Sequence, residues 1–505
     1  MKSKKFPAWL TIEATDKRLF FSLTALYGIY ILPILLANRL YQDDLSRSLY
    51  GVTGWNNDAR PLTEILMRWL CGGKPLGNVA PLPLLLSVLL LAYTLTLYGK
   101  RYLPAGHFLP ALGIGFWVIA NPFFLSNLSY KFDCVTMVLA LCAAILPYVV
   151  PERNALFKIF FFSFFLCMVT LTTYQPCCGV YISLWFLELF FMLFSAHIDL
   201  PRLIVRAAAC ALSVIVYKYA ILNRSIRPSN GGWQPSAYQF SWRSENGIFA
   251  CITQNFQAFL TLSGEYLAGL PNALFLLAGI LLLLGIAFTA LELFHLGKPM
   301  YQRILTLFYL ILLPFFVLLG TLAPLLILTP SAFSISAHSL ICLCSVGLWI
   351  GIMLSALYRR LPRLSVLLFL PCLLFAFTFS YTYGNALTSQ KQYETYLTYS
   401  IAHDVESLDA DNACRALTVS GRAPRSPEVS RLVEKYPLFA RLVPTYLTNS
   451  SYMGGVQLLH YTQKSFNYED LTEEDQNLIK NATPALANSV YTCYENGDKI
   501  IIVFK

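Results

Sequence analysis

Two adjacent carboxylates, Asp43 and Asp44, stand in the stretch YQDDLSRSLYGVTGWNNDARP (41–61), and the guanidiniums of Arg47 and Arg60 follow closely. Neighbouring carboxylates repel. One of their pKa values rises unless a cation or a metal offsets the repulsion, and a carboxylate so poised can serve as general base towards a hydroxyl. The pair also reads as a plain hydrophilic loop start, with Arg47 as its helical i+3 or i+4 partner. Arginine grips phosphate with a planar fork and keeps its charge at a membrane surface, so Arg47 and Arg60, together with Lys131, are candidate phosphate ligands. Two further polar islands, SYKFD (129–133) and TYQP (173–176), contribute Tyr130, Asp133, Tyr174 and Gln175. These turns could line one cavity with the first stretch, or simply solvate hairpins. A longer segment, NRSIRPSNGGWQPSAYQFSWRSENG (223–247), sets Trp233 among amide side chains. That composition suits stacking on sugar faces or a lid, and equally an interfacial loop.

The elements that carry these residues are largely lipid-soluble. Of 505 residues, 56% are hydrophobic and 13% charged, against about 25% charged in soluble domains. A helix needs about 20 apolar residues to cross a bilayer core. Eleven runs have this character: 19–37, 79–98, 108–127, 133–150, 156–174, 177–196, 203–222, 268–294, 304–328, 334–357 and 363–383. The first lacks a small-residue cleavage site and reads as a retained helix rather than a signal peptide. The fold expected is therefore mainly α, a polytopic membrane helix bundle with a small C-terminal α/β domain.

Charge orients the bundle. Residues 1–384 carry a net charge of +13 and residues 385–505 a net charge of −3. With a cytoplasmic N-terminus, eleven cations fall in short inner connections (Lys100, Arg101, Arg153, Lys158, Arg202, Arg206, Lys298, Arg303, Arg359, Arg360 and Arg363), against Lys131 alone in the short outer ones. This is a strong positive-inside pattern. It places the loops 38–78 and 223–267, and the tail, on the outer side. Arg39, Arg47, Arg60, Arg68 and Lys74 in the first loop run against the rule, which points to a use for them. The chain has no Lys/Arg-rich arm for a nucleic acid.

The domains expected are a transmembrane part, 1–384, and an outer α/β domain, 385–505. Within the tail, 390–408 reads as helical, 415–419 as a strand, 427–442 as helical in part, and Thr472 as the cap of a helix over 473–482. An Asn-Gly turn joins 489–494 to 499–504 as a hairpin. Cys414 and Cys493 are the only cysteines in the tail, and a disulfide between them is compatible with an oxidising outer side. Glu188 and Lys218 lie inside apolar helices, where charge is costly. Lys218 reads as snorkelling to the outer end.

Asp-Asp-Leu-Ser-Arg-Ser-Leu-Tyr-Gly (43–51), Trp55 and Arg60-Pro61-Leu62 resemble the N-terminal motif of the serotype-converting O-antigen glucosyltransferases, which phages and enterobacteria encode in three-gene clusters. The islands at 129–133 and 174–176 resemble later signatures of that family. The resemblance implies a C-type glycosyltransferase (GT-C) fold in the bacterial inner membrane, with an acidic base in the first outer loop. It favours Asp43 as base, with Asp44 orienting it or helping to hold a divalent cation, Mg or Mn. The implied donor is undecaprenyl-phosphate-glucose and the implied acceptor lipid-linked O-antigen, met in the periplasm. The cluster implies a functional link to a glucosyl-lipid synthase and a flippase. A transporter or lipid-linked-sugar flippase is the competing class. It would account for many helices, but it requires neither acids and cations gathered on one side nor a 120-residue outer domain.

Overall fold

The computed structural model describes residues 8–14, 16–103, 108–151, 155–225, 247–295, 299–330, 335–409, 414, 416–448, 452–462, 467–468 and 471–505. They form two compact units. The first comprises residues 1–32, 53–70 and 79–380; the second comprises 33–52, 71–78 and 381–505. The loop 38–78 thus supplies residues to both.

Among the described residues, nine helices are long and apolar enough to cross a membrane. In chain order the helices are α1 (Lys17–Ala37), α2 (Asp44–Tyr50), α3 (Pro61–Leu70), α4 (Leu82–Tyr102), α5 (Phe108–Ile119), α6 (Phe124–Ser129), α7 (Cys134–Ile145), α8 (Leu156–Thr173), α9 (Cys178–Ser195), α10 (Leu200–Val216), α11 (Asn223–Ser225), α12 (Ile248–Ala268), α13 (Asn272–His295), α14 (Met300–Leu326), α15 (Cys344–Arg360) and α16 (Pro362–Leu408). The expected runs 108–127 and 133–150 are shorter apolar helices instead. Pro122 disfavours helix at Asn121 before it, and the Asn121 side chain accepts from Phe123 N at 3.2 Å, separating α5 from α6. A 3₁₀ turn, Leu146–Val149, ends the second run. The expected loop 223–267 contains a full helix, α12. Its TQN–Q polar face lowers its hydropathy, and there Asn255 donates to the carbonyls of Leu325, Leu326 and Leu328, closing the C-terminal end of α14.

In the first unit, small residues set how closely the helices approach. A Cβ on Gly179 would lie 2.1 Å from Thr321 O, and one on Gly347 would lie 2.2 Å from Trp117 O. Backbones this close need glycine at the crossing. Hydroxyls add directional contacts at the same level, with Ser183, Thr321 and Ser345 linked at 2.8 and 2.7 Å. Glu188 is the counter-ion of two buried arginines, 2.9 Å from Arg202 Nε and 3.0 Å from Arg206 Nε. Arg206 also lies over the Tyr148 ring at 4.5 Å, and Arg202 donates to Val150 O. Pairing, a ring face and a carbonyl offset the desolvation of these charges.

The second unit holds a five-stranded sheet of β1 (Ala416–Ser420), β2 (Asn467–Tyr468), β3 (Leu486–Ala487), β4 (Tyr491–Asn496) and β5 (Lys499–Phe504), in the order β2-β1-β5-β4-β3. β1 runs parallel to β2 and β5; β4 pairs antiparallel with β3 and β5. The β4–β5 hairpin turns through Gly497-Asp498, with Gly497 at φ +63°. The helices α17 (Pro427–Lys435), α18 (Phe439–Leu442), α19 (Tyr452–Thr462) and α20 (Glu473–Asn481) complete the unit. Thr472 caps α20 in a capping box with Asp475. Burial pushes the Asp475 carboxyl up, but Lys499 at 2.7 Å, Thr472 N–H at 2.8 Å and Asn496 at 3.1 Å outweigh it and bring it down to about 2.

The expected Cys414–Cys493 bridge is not formed; both are thiols. The strand order explains this. Cys493 lies on β4 opposite Ile502, whereas Cys414 precedes β1, whose first residue pairs with Lys499 across β5. Two strand spacings, about 9.5 Å, exceed the ~7 Å Cα separation a disulfide can span. Cys414 Sγ donates to Ala416 O instead, and burial pushes the Cys493 thiol up to about 12.

Candidate active site

In the first unit the turn 54–60 folds back on itself, with Arg60 N donating to Trp55 O at 2.8 Å. This turn delivers two side chains to one carboxylate. The fully buried Trp55 donates its indole N–H to Asp133 Oδ2 at 2.9 Å, and Arg60 Nη1 lies 3.9 Å from the same oxygen. Asp133 stands at the N-cap of α7, yet its side chain makes no capping bond to the helix. Its carboxylate is directed to the tryptophan and the arginine. The Arg60 guanidinium also lies over the Tyr174 ring, 4.7 Å from the centroid. A cation between a carboxylate and an aromatic face is oriented before any substrate arrives.

Gln175 anchors the turn from the other side, donating from Nε2 to Asp58 O at 2.9 Å and to Tyr217 OH at 2.7 Å. Tyr217 OH in turn donates to Ala59 O at 3.0 Å. Tyr217 opens a π-helical turn, 217–222, a local irregularity common at functional sites. Thr63 at the start of α3 donates to Thr173 O. Tyr174 OH and Asn127 Nδ2 both donate to His338 O, at 3.0 Å each. Tyr130 and Lys131 are buried in the short turn before Asp133. The structure therefore brings Arg60, Asp133, Tyr174 and Gln175 together, with Tyr130 and Lys131 in the same polypeptide turn as Asp133.

Asp43, Asp44 and Arg47 belong to the second unit. There the two aspartates differ. Asp44, the first residue of α2, is fully buried, and its Oδ2 accepts from Tyr41 N at 3.2 Å. Asp43 caps α2 without a side-chain capping bond, is 51% exposed, and is held by Arg47 Nη2 at 3.2 Å. An i,i+4 ion pair of this kind holds the carboxylate turned in one direction. Helix α2 ends at Gly51, φ +60°. A Cβ there would lie 2.3 Å from Pro75 Cβ, so the turn requires glycine. Leu45 on α2 packs with Tyr446 and Val456.

Arg39 is the residue of this unit that sequence reasoning undervalued. It is buried, donates to Glu394 Oε2 at 2.7 Å and to Pro444 O at 2.6 Å, and lies 4.9 Å from the Tyr446 ring centroid. Its only signal in the sequence is a cation kept on the side that the positive-inside pattern disfavours. Tyr217 and Asn127 carry no such signal. Trp233 lies outside the described residues. Among the described residues no three His, Cys, Asp or Glu side chains gather as a metal site.

A protein-family model for Glucosyl transferase GtrII matches residues 32–356. A protein of Salmonella phage P22, described as an uncharacterized 55.3 kDa protein in the gtrB 5' region, is 24% identical over 504 residues, covering 97% of this chain and 99% of the phage protein. No solved structure matches the chain. The matched span contains α2, the Trp55–Asp133–Arg60 cluster and its Tyr174, Gln175 and Tyr217 partners. A glucosyltransferase reading thus displaces the transporter alternative, and the chain belongs to the GtrII glucosyl transferase family.

Proposed function

We propose that this glucosyltransferase moves glucose from undecaprenyl-phosphate-glucose to a hydroxyl of lipid-linked O-antigen, on the periplasmic side of the bacterial inner membrane. In this reading the N-terminus is cytoplasmic, the loop 38–78 and the tail are periplasmic, and the helix bundle is of the GT-C kind. The distribution of Lys and Arg supports the orientation, and the P22 relative supports a serotype-conversion setting, with a glucosyl-lipid synthase and a flippase as functional neighbours. The observation that carries the donor class is Arg60. A guanidinium fixed by Asp133 and Tyr174, with Lys131 buried two residues from Asp133, is matched to the phosphate of a polyprenyl donor.

The chemistry needs one base and one stabilised leaving group. Asp43 accepts the proton of the acceptor hydroxyl, whose oxygen forms a bond to the anomeric carbon. The anomeric carbon–oxygen bond to phosphate breaks, and its electron pair leaves with undecaprenyl phosphate. Arg60 and Lys131 stabilise the charge that grows on that oxygen. Half-exposed Asp43 is open to a hydroxyl, whereas Asp44 is buried on a backbone N–H and positions the start of α2. Arg47 fixes the direction in which the Asp43 side chain points.

The test is glucose incorporation into O-antigen in cells that make undecaprenyl-phosphate-glucose. Wild-type chain is expected to add glucose, Asp43→Asn to abolish addition, and Asp44→Asn to reduce it in proportion to folded protein. Unchanged transfer by Asp43→Asn, with loss in Asp44→Asn at normal protein levels, would move the base to Asp44. Unchanged transfer in both would remove the base from this pair.

A further inference from the structure

The second unit contains a cavity of about 220 Å³ to which the proposed chemistry assigns nothing. Its wall is mainly polar: Ser48 from α2, Asn78, Lys391 from α16, and Gln457 and His460 from α19, with the Tyr446 ring among them. Ser48 and Leu45 look into it from one side of α2. Asp43 and Arg47 lie four residues apart on the opposite side of that helix, given 100° per residue. The cavity is therefore distinct from the carboxylate assigned to the base.

Arg39 and Glu394 line the same cavity. Arg39 Nη2 is spent on Glu394 and Pro444 O, while its buried Nη1 finds no acceptor among the described residues. A buried guanidinium N–H calls for an acceptor. Amide, hydroxyl, imidazole and ammonium groups around one aromatic ring, with one guanidinium nitrogen still to satisfy, make a lining for a polyhydroxylated ligand of about one ring. The wall draws on both parts of the chain. Arg39, Ser48 and Asn78 fall within the family-matched span, whereas Lys391, Glu394, Tyr446, Gln457 and His460 lie beyond it.

We propose that this cavity is a carbohydrate subsite that binds a saccharide ring of the acceptor chain away from the hydroxyl that reacts. The proposal rests on the acceptor assigned above. The reacting groups assigned above fall in the matched span, and the tail contributes a reader of the glycan that receives the glucose. The ring is gripped through hydroxyl oxygens by Arg39 Nη1 and His460, and the subsite sets affinity for the acceptor without touching the bond that breaks.

The test uses the full-length protein in detergent and, as probe, lipid-free O-polysaccharide released by mild acid from the host lipopolysaccharide. Binding is followed by saturation-transfer NMR, and transfer by single-turnover kinetics. Asp43→Asn is expected to bind the polysaccharide as wild type does. His460→Ala and the cavity-filling His460→Trp are expected to weaken binding at least tenfold and raise the acceptor KM to match, leaving kcat and the donor KM unchanged. His460→Gln restores part of the affinity. Wild-type binding and wild-type acceptor KM in folded His460→Trp would overturn the subsite and leave the transferase reading intact. Binding that depends on His460 in a protein that transfers no glucose would keep the saccharide site while overturning the reaction assigned above. Loss of kcat in His460→Ala at unchanged acceptor affinity would also overturn the proposal.

Discussion

Each unit sets one arginine between a carboxylate and a tyrosine ring. In the first unit Arg60 lies by Asp133 and over Tyr174; in the second, Arg39 lies by Glu394 and over Tyr446. The local chemistry is the same, but its setting differs. Arg60 and both its partners fall within residues 32–356, and its side chain keeps 13% of its exposure. Arg39 is paired with residues beyond that span, and both members of its ion pair are almost wholly buried. A buried pair contributes chiefly through the penalty for breaking it, whereas an oriented, partly open cation can still meet an anion. The contrast is between an arginine locked into its own unit and one proposed to meet the reacting group.

Truncating the buried arginine has the largest expected effect. Arg39→Ala leaves Glu394 buried without its counter-ion, at an expected cost of about 3–5 kcal/mol. Thermal melts in detergent should show a large fall in Tm, and the folded fraction should keep its kcat while its acceptor KM rises. The apolar double variant Arg39→Met with Glu394→Met should recover most of that stability. Arg60→Ala should do the reverse, lowering kcat about 10²–10³-fold, the usual loss for one transition-state donor, with a smaller change in Tm because Asp133 retains the Trp55 indole. Arg60→Lys should recover only part of the rate, since a point charge lacks the planar fork. Equal falls in Tm for Arg39→Ala and Arg60→Ala, with equal kcat per folded molecule, would erase the distinction.

A smaller effect, within the second unit alone, is read through pH. The Asp475 carboxyl is depressed, so its stabilisation is complete above the ordinary carboxylate pKa of about 4 and is lost as pH falls from there through about 2. The depression corresponds to roughly 2 kcal/mol. Melts of the full chain between pH 6 and pH 2 should show wild type losing stability across that window, and Asp475→Asn losing less. A wild-type profile in Asp475→Asn would place the acid sensitivity in other carboxylates.

What the sequence made legible was local. Thr472 and the acids behind it define a helix start within four residues, and Asn496-Gly497 marks a hairpin whose turn slides by one position to Gly497-Asp498. The polar islands around Asp133 and Tyr174 were visible because charge and amides interrupt apolar runs. The partners of Arg39 were not, since Glu394 and Tyr446 lie 355 and 407 residues further along and nothing in spacing links them. Tyr217 was hidden in an apolar run, where a tyrosine reads as packing and only the π-turn aims its hydroxyl. Helix α12 was hidden by the polar side chains, Asn255 foremost, that close the end of α14. The expected disulfide failed for a related reason: sequence shows two cysteines near strands but not the strand between them.

That separation of Cys414 from Cys493 has a practical consequence. With both as thiols, maturation of the second unit calls on no thiol oxidase, and reducing agents can be present throughout purification without unmaking it. Cys414 is half-buried while Cys493 is enclosed. The tail therefore carries one addressable sulfhydryl, to which a bilayer-impermeant maleimide can be attached as a marker of the side on which it resides.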